Sequence, residues 1–163
     1  MDLRKARMAD VPVMHALINS HAQKGLMLAR SRNALYEGIR EFTVACADGQ
    51  VVGCASLHVL WDDLAEVRSL VIADEYAGCG IGRILVETLI VEAKELGIPR
   101  LFALTYVPDF FQKCGFSLVS RDKLPQKVWK ECINCPKFPD CDEIAVLMEL
   151  APAQLSSAEE PAV

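Results

Sequence analysis

Apolar positions along the chain alternate between two spacings, and the switches divide it into elements. Leu3 to Ala6 reads as a short strand. Behind it, Val11, Met14, Leu17 and Ile18 recur at helical spacing after Asp10, a residue type suited to capping a helix. The pattern lapses between Ala22 and Ser31, at Gly25, and a second helix is expected from Asn33 to Ile39. Phe42 to Cys46 and Val51 to Leu60 are extended runs around Asp48-Gly49, a strong hairpin signal, so antiparallel pairing is expected. A third extended run, Ala65 to Ile72, enters a glycine-rich turn and then a helix from Arg83 to Leu96, closed by Gly97 and Pro99. Leu101 to Thr105, Phe116 to Val119 and Ile144 to Leu150 read as strands, with a short helix at Asp109 to Cys114. Residues 1–151 are read as one domain, and the small, polar residues from 152 to 163 as a disordered tail.

The 163 residues suffice for one core without disulfides, and 52% hydrophobic with 24% charged residues is a globular balance. A net charge of −5 with no arginine-rich face argues against nucleic acid as a partner. The basic start of the chain meets Asp10 and Pro12 rather than an apolar run, so no export signal is expected. No stretch approaches the roughly 20 apolar residues needed to span a bilayer. Seven cysteines, an odd number in a chain without an export signal, are read as reduced thiols in the cytoplasm.

Chemistry first shows in Gly78-Cys79-Gly80-Ile81-Gly82, between a strand and a helix. Glycines there let the backbone approach a ligand with its N–H groups at the positive end of a helix, which suits a pyrophosphate. The preceding strand, Glu66 to Ile72, follows an antiparallel hairpin, and Glu95 lies inside the helix rather than at a strand end about 20 residues on. Dinucleotide binding is therefore disfavoured.

This strand, glycine loop and helix resemble the Gcn5-related N-acetyltransferases. The resemblance implies an α/β (α+β) fold with a mixed, mainly antiparallel sheet, splayed at its middle, with helices on both faces. It implies acetyl-CoA as co-substrate, held by Leu70, Val71 and Ile72 on the strand and by Gly78, Cys79, Gly80, Ile81, Gly82 and Arg83 in the loop. Ala77 stands where the family usually has Gln or Arg, which removes one side-chain contact and leaves the backbone donors. Phe110-Phe111-Gln112-Lys113-Cys114-Gly115-Phe116 resembles the family segment flanking the CoA arm and adds Phe111 to the cofactor contacts. Many relatives protonate the leaving thiolate with a tyrosine there. Tyr106 is the nearest substitute, with a packing or hydrogen-bonded surface tyrosine as the alternative.

Gly25-Leu26-Met27-Leu28-Ala29-Arg30-Ser31-Arg32, Leu104-Thr105-Tyr106, the Phe111 to Phe116 segment and Leu124-Pro125 together resemble the acetyltransferase domain of N-acetylglutamate synthases. That likeness implies acetyl transfer to the α-amine of glutamate, early in arginine synthesis, with Arg30 on the substrate carboxylate and Ser31 and Arg32 beside it. A solvated loop arginine is the bland alternative. Cys141-Asp142-Glu143 replaces a basic and hydroxylic cluster typical of those relatives, so glutamine stands beside glutamate as a substrate. Attack requires a neutral amine, and Glu66 is the candidate base, working through water. Alternation places it on the face of Arg68 and Leu70, and a Glu66–Arg68 ion pair is the competing reading. His15, His21 and His58 are read as structural or surface histidines.

Cys132-x2-Cys135-x5-Cys141 has one pair at metal-ligand spacing, so a structural zinc competes with free thiols in a loop. The expected partners are an amino acid and acetyl-CoA, with neither nucleic acid nor membrane, and a homodimer is left open. Two rivals remain: acetylation of an amine without a carboxylate, for which Arg30 has no use, and a non-catalytic acetyl-CoA or metal sensor, favoured by Ala77 and Phe111.

Overall fold

In a computed structural model that describes residues 1–125 and 142–150, the extended runs become β1 (Asp2–Lys5), β2 (Phe42–Ala47), β3 (Gln50–Trp61), β4 (Leu64–Ile72), β5 (Arg100–Thr105), β6 (Ser117–Leu118) and β7 (Ile144–Glu149). The helical patterns become α1 (Val11–Gln23), α2 (Arg32–Glu37), α3 (Ile81–Glu95) and α4 (Pro108–Lys113). The strands form one sheet of order β1-β2-β3-β4-β5-β7-β6. Every neighbouring pair is antiparallel except β4 with β5, which are parallel. The expected mixed sheet is present. The expected tail lies outside the described residues.

Alternation along β2 divides the core between the two faces of the sheet. Phe42, Val44 and Cys46 pack with Val11, Met14, Ile18 and Leu35 of α1 and α2. Ala45 turns to the opposite face and joins Leu85, Val86, Leu89 and Ala93 of α3. The α3-side core also holds Leu101, Ala103, Phe111, Phe116 and Val146, so it runs across the whole sheet. The α1-side core contains no described residue of β5, β6 or β7; a separate, smaller cluster of Leu64, Phe102, Leu124 and Ala145 covers that end of the same face.

That asymmetry sits over a gap. β4 and β5 pair only at Ala65 with Leu101 and Glu66 with Phe102, and beyond these the two parallel strands separate. The sheet is splayed there, as the resemblance implied.

Three local expectations change. Asp10 precedes α1 but makes no side-chain cap to it. Its carboxylate instead receives the Arg4 guanidinium in two bonds of 2.7 and 2.9 Å and the Arg7 N–H at 2.7 Å. The stronger, charge-assisted partner takes the oxygens that a cap would have used. The strand expected at Phe116 to Val119 shortens to two residues because Phe116 is drawn into the aromatic core. Leu70 does not share the face of Glu66 and Arg68: it packs in the α3-side core with Val67, while Val71 faces α1. The cause is an irregularity in β4, described next.

Candidate functional site

Register along β3 and β4 runs His58 opposite Glu66, Ser56 opposite Arg68, and then Cys54 opposite Val71. Ser69 and Leu70 therefore face the single residue Ala55, which is a β-bulge. Ser69 takes φ +54°, in the left-handed region, and the extra residue reverses the alternation beyond it. Two side chains of β3 satisfy carbonyls that the bulge displaces. Ser56 Oγ donates to Arg68 O at 3.2 Å, and the Cys54 thiol donates to Ser69 O at 3.8 Å. Complete burial pushes the Cys54 thiol up to about 12, which keeps its proton in place for that bond.

From the bulge, β4 leads through a 3-10 turn, Asp74–Tyr76, into the glycine loop. Gly78 and Gly80 have φ +78° and +83°, values that residues with a β-carbon rarely adopt, and open space surrounds both. Gly80 is the N-cap of α3. The first N–H groups of α3 have no intrahelical acceptor and point into the loop. Gly82 answers a different need: a β-carbon there would stand 3.3 Å from the Phe110 ring, so the start of α3 lies directly against α4. Arg83 is exposed and pairs with Glu87 at 3.0 Å.

On the α1 and α2 side of the sheet, a cavity of about 250 Å³ is lined by Arg30, Ala34, Leu35, Gly38, Glu41, Phe42, Ser56, His58 and Arg68. Its floor is the cross-strand set just before the bulge. Arg68 Nε donates to Glu66 Oε1 at 2.7 Å, so the ion pair read as an alternative for Glu66 is formed. Glu66 is only 8% exposed and meets the cavity through Arg68. On the neighbouring strand His58 Nδ1 lies 3.1 and 3.2 Å from the two Glu41 oxygens. Burial alone would raise the Glu41 carboxyl. The His58 hydrogen bond, with the charges of His58, Arg68 and Arg30, outweighs burial and holds it below the usual carboxylate range. The cavity thus gathers two arginines and a histidine, with Glu41 and Glu66 engaged by side chains of the same site.

Arg30 lies in this wall. Ser31 is not among the lining residues; its hydroxyl caps α2 by accepting the Ala34 N–H at 3.1 Å. Arg32 is exposed at the start of α2. Tyr106, just past β5, donates its hydroxyl to Asp142 Oδ1 at 2.7 Å. Phe111 lies inside the α3-side core, 4% exposed, edge-on to Phe110 and Phe116 with ring centroids 5.2 Å from each. The sequence reading missed His58 and Glu41 as pocket residues and Phe110 as the ring against the glycine loop. His58 shares its face with Glu66 by simple alternation across a hairpin, a signal that was present. Glu41 gave none, because it belongs to a short 3-10 turn, Ile39–Glu41, between α2 and β2.

Cys132, Cys135 and Cys141 lie outside the described residues. Among the described residues no group of three or more His, Cys, Asp or Glu side chains is placed to hold a metal. No described helix is long and apolar enough to cross a membrane.

The sequence profile of the Acetyltransferase (GNAT) family matches residues 15–116. An uncharacterized N-acetyltransferase of Chlorobaculum tepidum is 40% identical over 148 residues, 91% of this chain and 96% of its own. An amino-acid acetyltransferase of Mycobacterium tuberculosis is 37% identical over 79% of this chain and 75% of its own. Among solved structures, N-acetylglutamate synthase of Neisseria gonorrhoeae, complexed with coenzyme A and N-acetyl-glutamate, superposes with a TM-score of 0.84 at 30% identity. The likeness covers 92% of this chain and 35% of that longer one. A Mycobacterium tuberculosis protein solved with CoA gives 0.80 at 32% identity, over 93% of this chain and 100% of its own.

Proposed function

Because this chain belongs to the GNAT family of acetyl-CoA-dependent N-acetyltransferases, we propose that it acetylates the α-amine of glutamate or glutamine, as the entry reaction of arginine synthesis. The observation that carries the reading is the cavity itself, which presents Arg30, Arg68 and His58 immediately before the β4 bulge. An amino acid has an α-carboxylate that needs a cation and an amine that must reach the thioester, and Arg30 offers the cation close to the β4 bulge.

In this reading the pyrophosphate of CoA lies against the backbone from Gly78 to Arg83 and the pantetheine arm enters the gap between β4 and β5. Arg30 holds the α-carboxylate. Glu66 takes the ammonium proton through water, and the neutral nitrogen attacks the thioester carbonyl. Backbone N–H groups near Leu70 and Val71, aimed by the bulge, hold the oxyanion. Collapse expels the thiolate, Tyr106 supplies its proton, and the second proton that the nitrogen sheds as it becomes an amide restores the Tyr106 hydroxyl through water. Direct transfer is also favoured by the thiols: burial pushes Cys54 up to about 12 and raises Cys114, so neither is an activated nucleophile.

Glutamine has a specific argument. Asp142 and Glu143 stand where the N-acetylglutamate synthases carry a basic and hydroxylic cluster, and an acidic pair suits a neutral side-chain amide better than a second carboxylate. CoA release by purified protein should be measured across glutamate, glutamine, other amino acids, polyamines and a peptide N-terminus, and repeated with Arg30→Ala. Turnover of glutamate or glutamine that Arg30→Ala lowers by at least about a hundredfold in kcat/KM, near 3 kcal/mol, supports the reading. Turnover confined to amines without a carboxylate overturns the substrate and retains the reaction.

A further inference from the structure

Arg30 sits in the segment between α1 and α2 that has no regular secondary structure, so nothing in a helix or ladder fixes the direction of its side chain. Its backbone is nonetheless held at both polar groups by one residue. Asn19 Oδ1 accepts the Arg30 N–H at 3.2 Å, and Asn19 Nδ2 donates to Arg30 O at 2.9 Å. The same Nδ2 donates to His15 O at 2.9 Å, one turn back on α1, which locks the amide against the helix. With one acceptor and two carbonyl partners, only this orientation of the amide satisfies all three contacts. Immediately after Arg30, Ser31 caps α2. The arginine is therefore pinned between a side-chain amide that acts as a strand neighbour would and the fixed start of a helix.

We propose that Asn19 is a positioning residue for the amino-acid substrate: it sets the Arg30 guanidinium at the cavity wall and acts only through it. This rests on the reading that Arg30 holds the substrate carboxylate. Aspartate is the informative replacement, because it keeps the size and the acceptor for Arg30 N–H while presenting oxygen to two carbonyls. Alanine removes all three contacts. Neither change touches the glycine loop or the β4–β5 gap.

The test is a double-mutant cycle on Asn19 and Arg30, with KM measured separately for the amino acid and for acetyl-CoA. Asn19→Asp and Asn19→Ala should each raise the amino-acid KM about tenfold or more, with the acetyl-CoA KM within about twofold of the parent. Adding Asn19→Ala to Arg30→Ala should change the amino-acid KM less than about twofold, since the side chain being positioned is already gone. Equal effects of Asn19→Ala with and without Arg30 overturn the proposal and leave the Arg30 reading standing. A parallel rise in both KM values also overturns it, as general loosening of the fold. If Arg30→Ala itself leaves the amino-acid KM unchanged, the substrate reading falls and this proposal falls with it.

Discussion

Arg68 donates from Nε to Oε1 of Glu66 across 2.7 Å, and Leu70, two residues further along the same strand, points to the other face of the sheet. The charged pair and the backbone proposed to hold the oxyanion thereby share one strand without competing for one surface. Glu66→Gln keeps a hydrogen-bond acceptor for Arg68 and removes the base. It should lower kcat on the order of a hundredfold with little change in the amino-acid KM. The acid limb of the kcat profile should flatten in the variant; an unaltered kcat would assign proton removal to another group.

Ser69 holds φ +54° at the bulge. Left-handed backbone carries a penalty of roughly 1–2 kcal/mol for residues with a β-carbon, most for β-branched ones. Ser69→Gly should therefore retain activity and melting temperature to within a few degrees, whereas Ser69→Val should lower both. Equal kcat in the two variants would show that the bulge does not aim the reacting backbone.

Gly80 starts α3 at φ +83° with nothing near its missing β-carbon, so space alone would admit alanine. Conformation would not. Gly80→Ala should destabilise the fold by about 1 kcal/mol and raise the Kd for CoA severalfold, read by calorimetry, with the amino-acid KM nearly unmoved.

Much of this was legible because it is local. The glycine loop and the hairpin at Asp48-Gly49 follow from residues within a few positions of one another. What escaped is set by a register shift or by tertiary partners. No periodicity announces that β4 gains a residue at Ser69, so Leu70 was placed on the wrong face. Asp10 looks like a helix cap until β1 brings Arg4 within 2.7 Å. His58 reads as ordinary until a 3-10 turn delivers Glu41 to it.

The Arg4 guanidinium, and the Arg7 N–H with it, outweigh burial and hold the Asp10 carboxyl below its ordinary value. A depressed folded value means stability that is present above the unfolded value, near 3.8, and lost as pH falls through the folded one. Asp10→Asn should lower stability by about 2 kcal/mol at neutral pH. The gap between variant and parent melting temperatures should close as pH drops below about 4. A gap that persists at lower pH would mean that shape, not charge, is what Asp10 contributes.

The gap between β4 and β5 is bridged by packed side chains on the α3 face, while on the cavity side the α1-side core stops short of β5 and Leu64, Phe102, Leu124 and Ala145 close the face only where the two strands still pair. The sheet is built like a bound book, with its spine along α3 and its pages parting on the cavity side only beyond the clasp formed by Leu64 and Phe102. The α3-side packing and the helical wall of the cavity are thereby supplied by different stretches of chain. Residues 24–41, which supply Arg30 and Glu41, can be exchanged for a segment of other length or charge without repacking the spine. The same binding could then open onto a different amine.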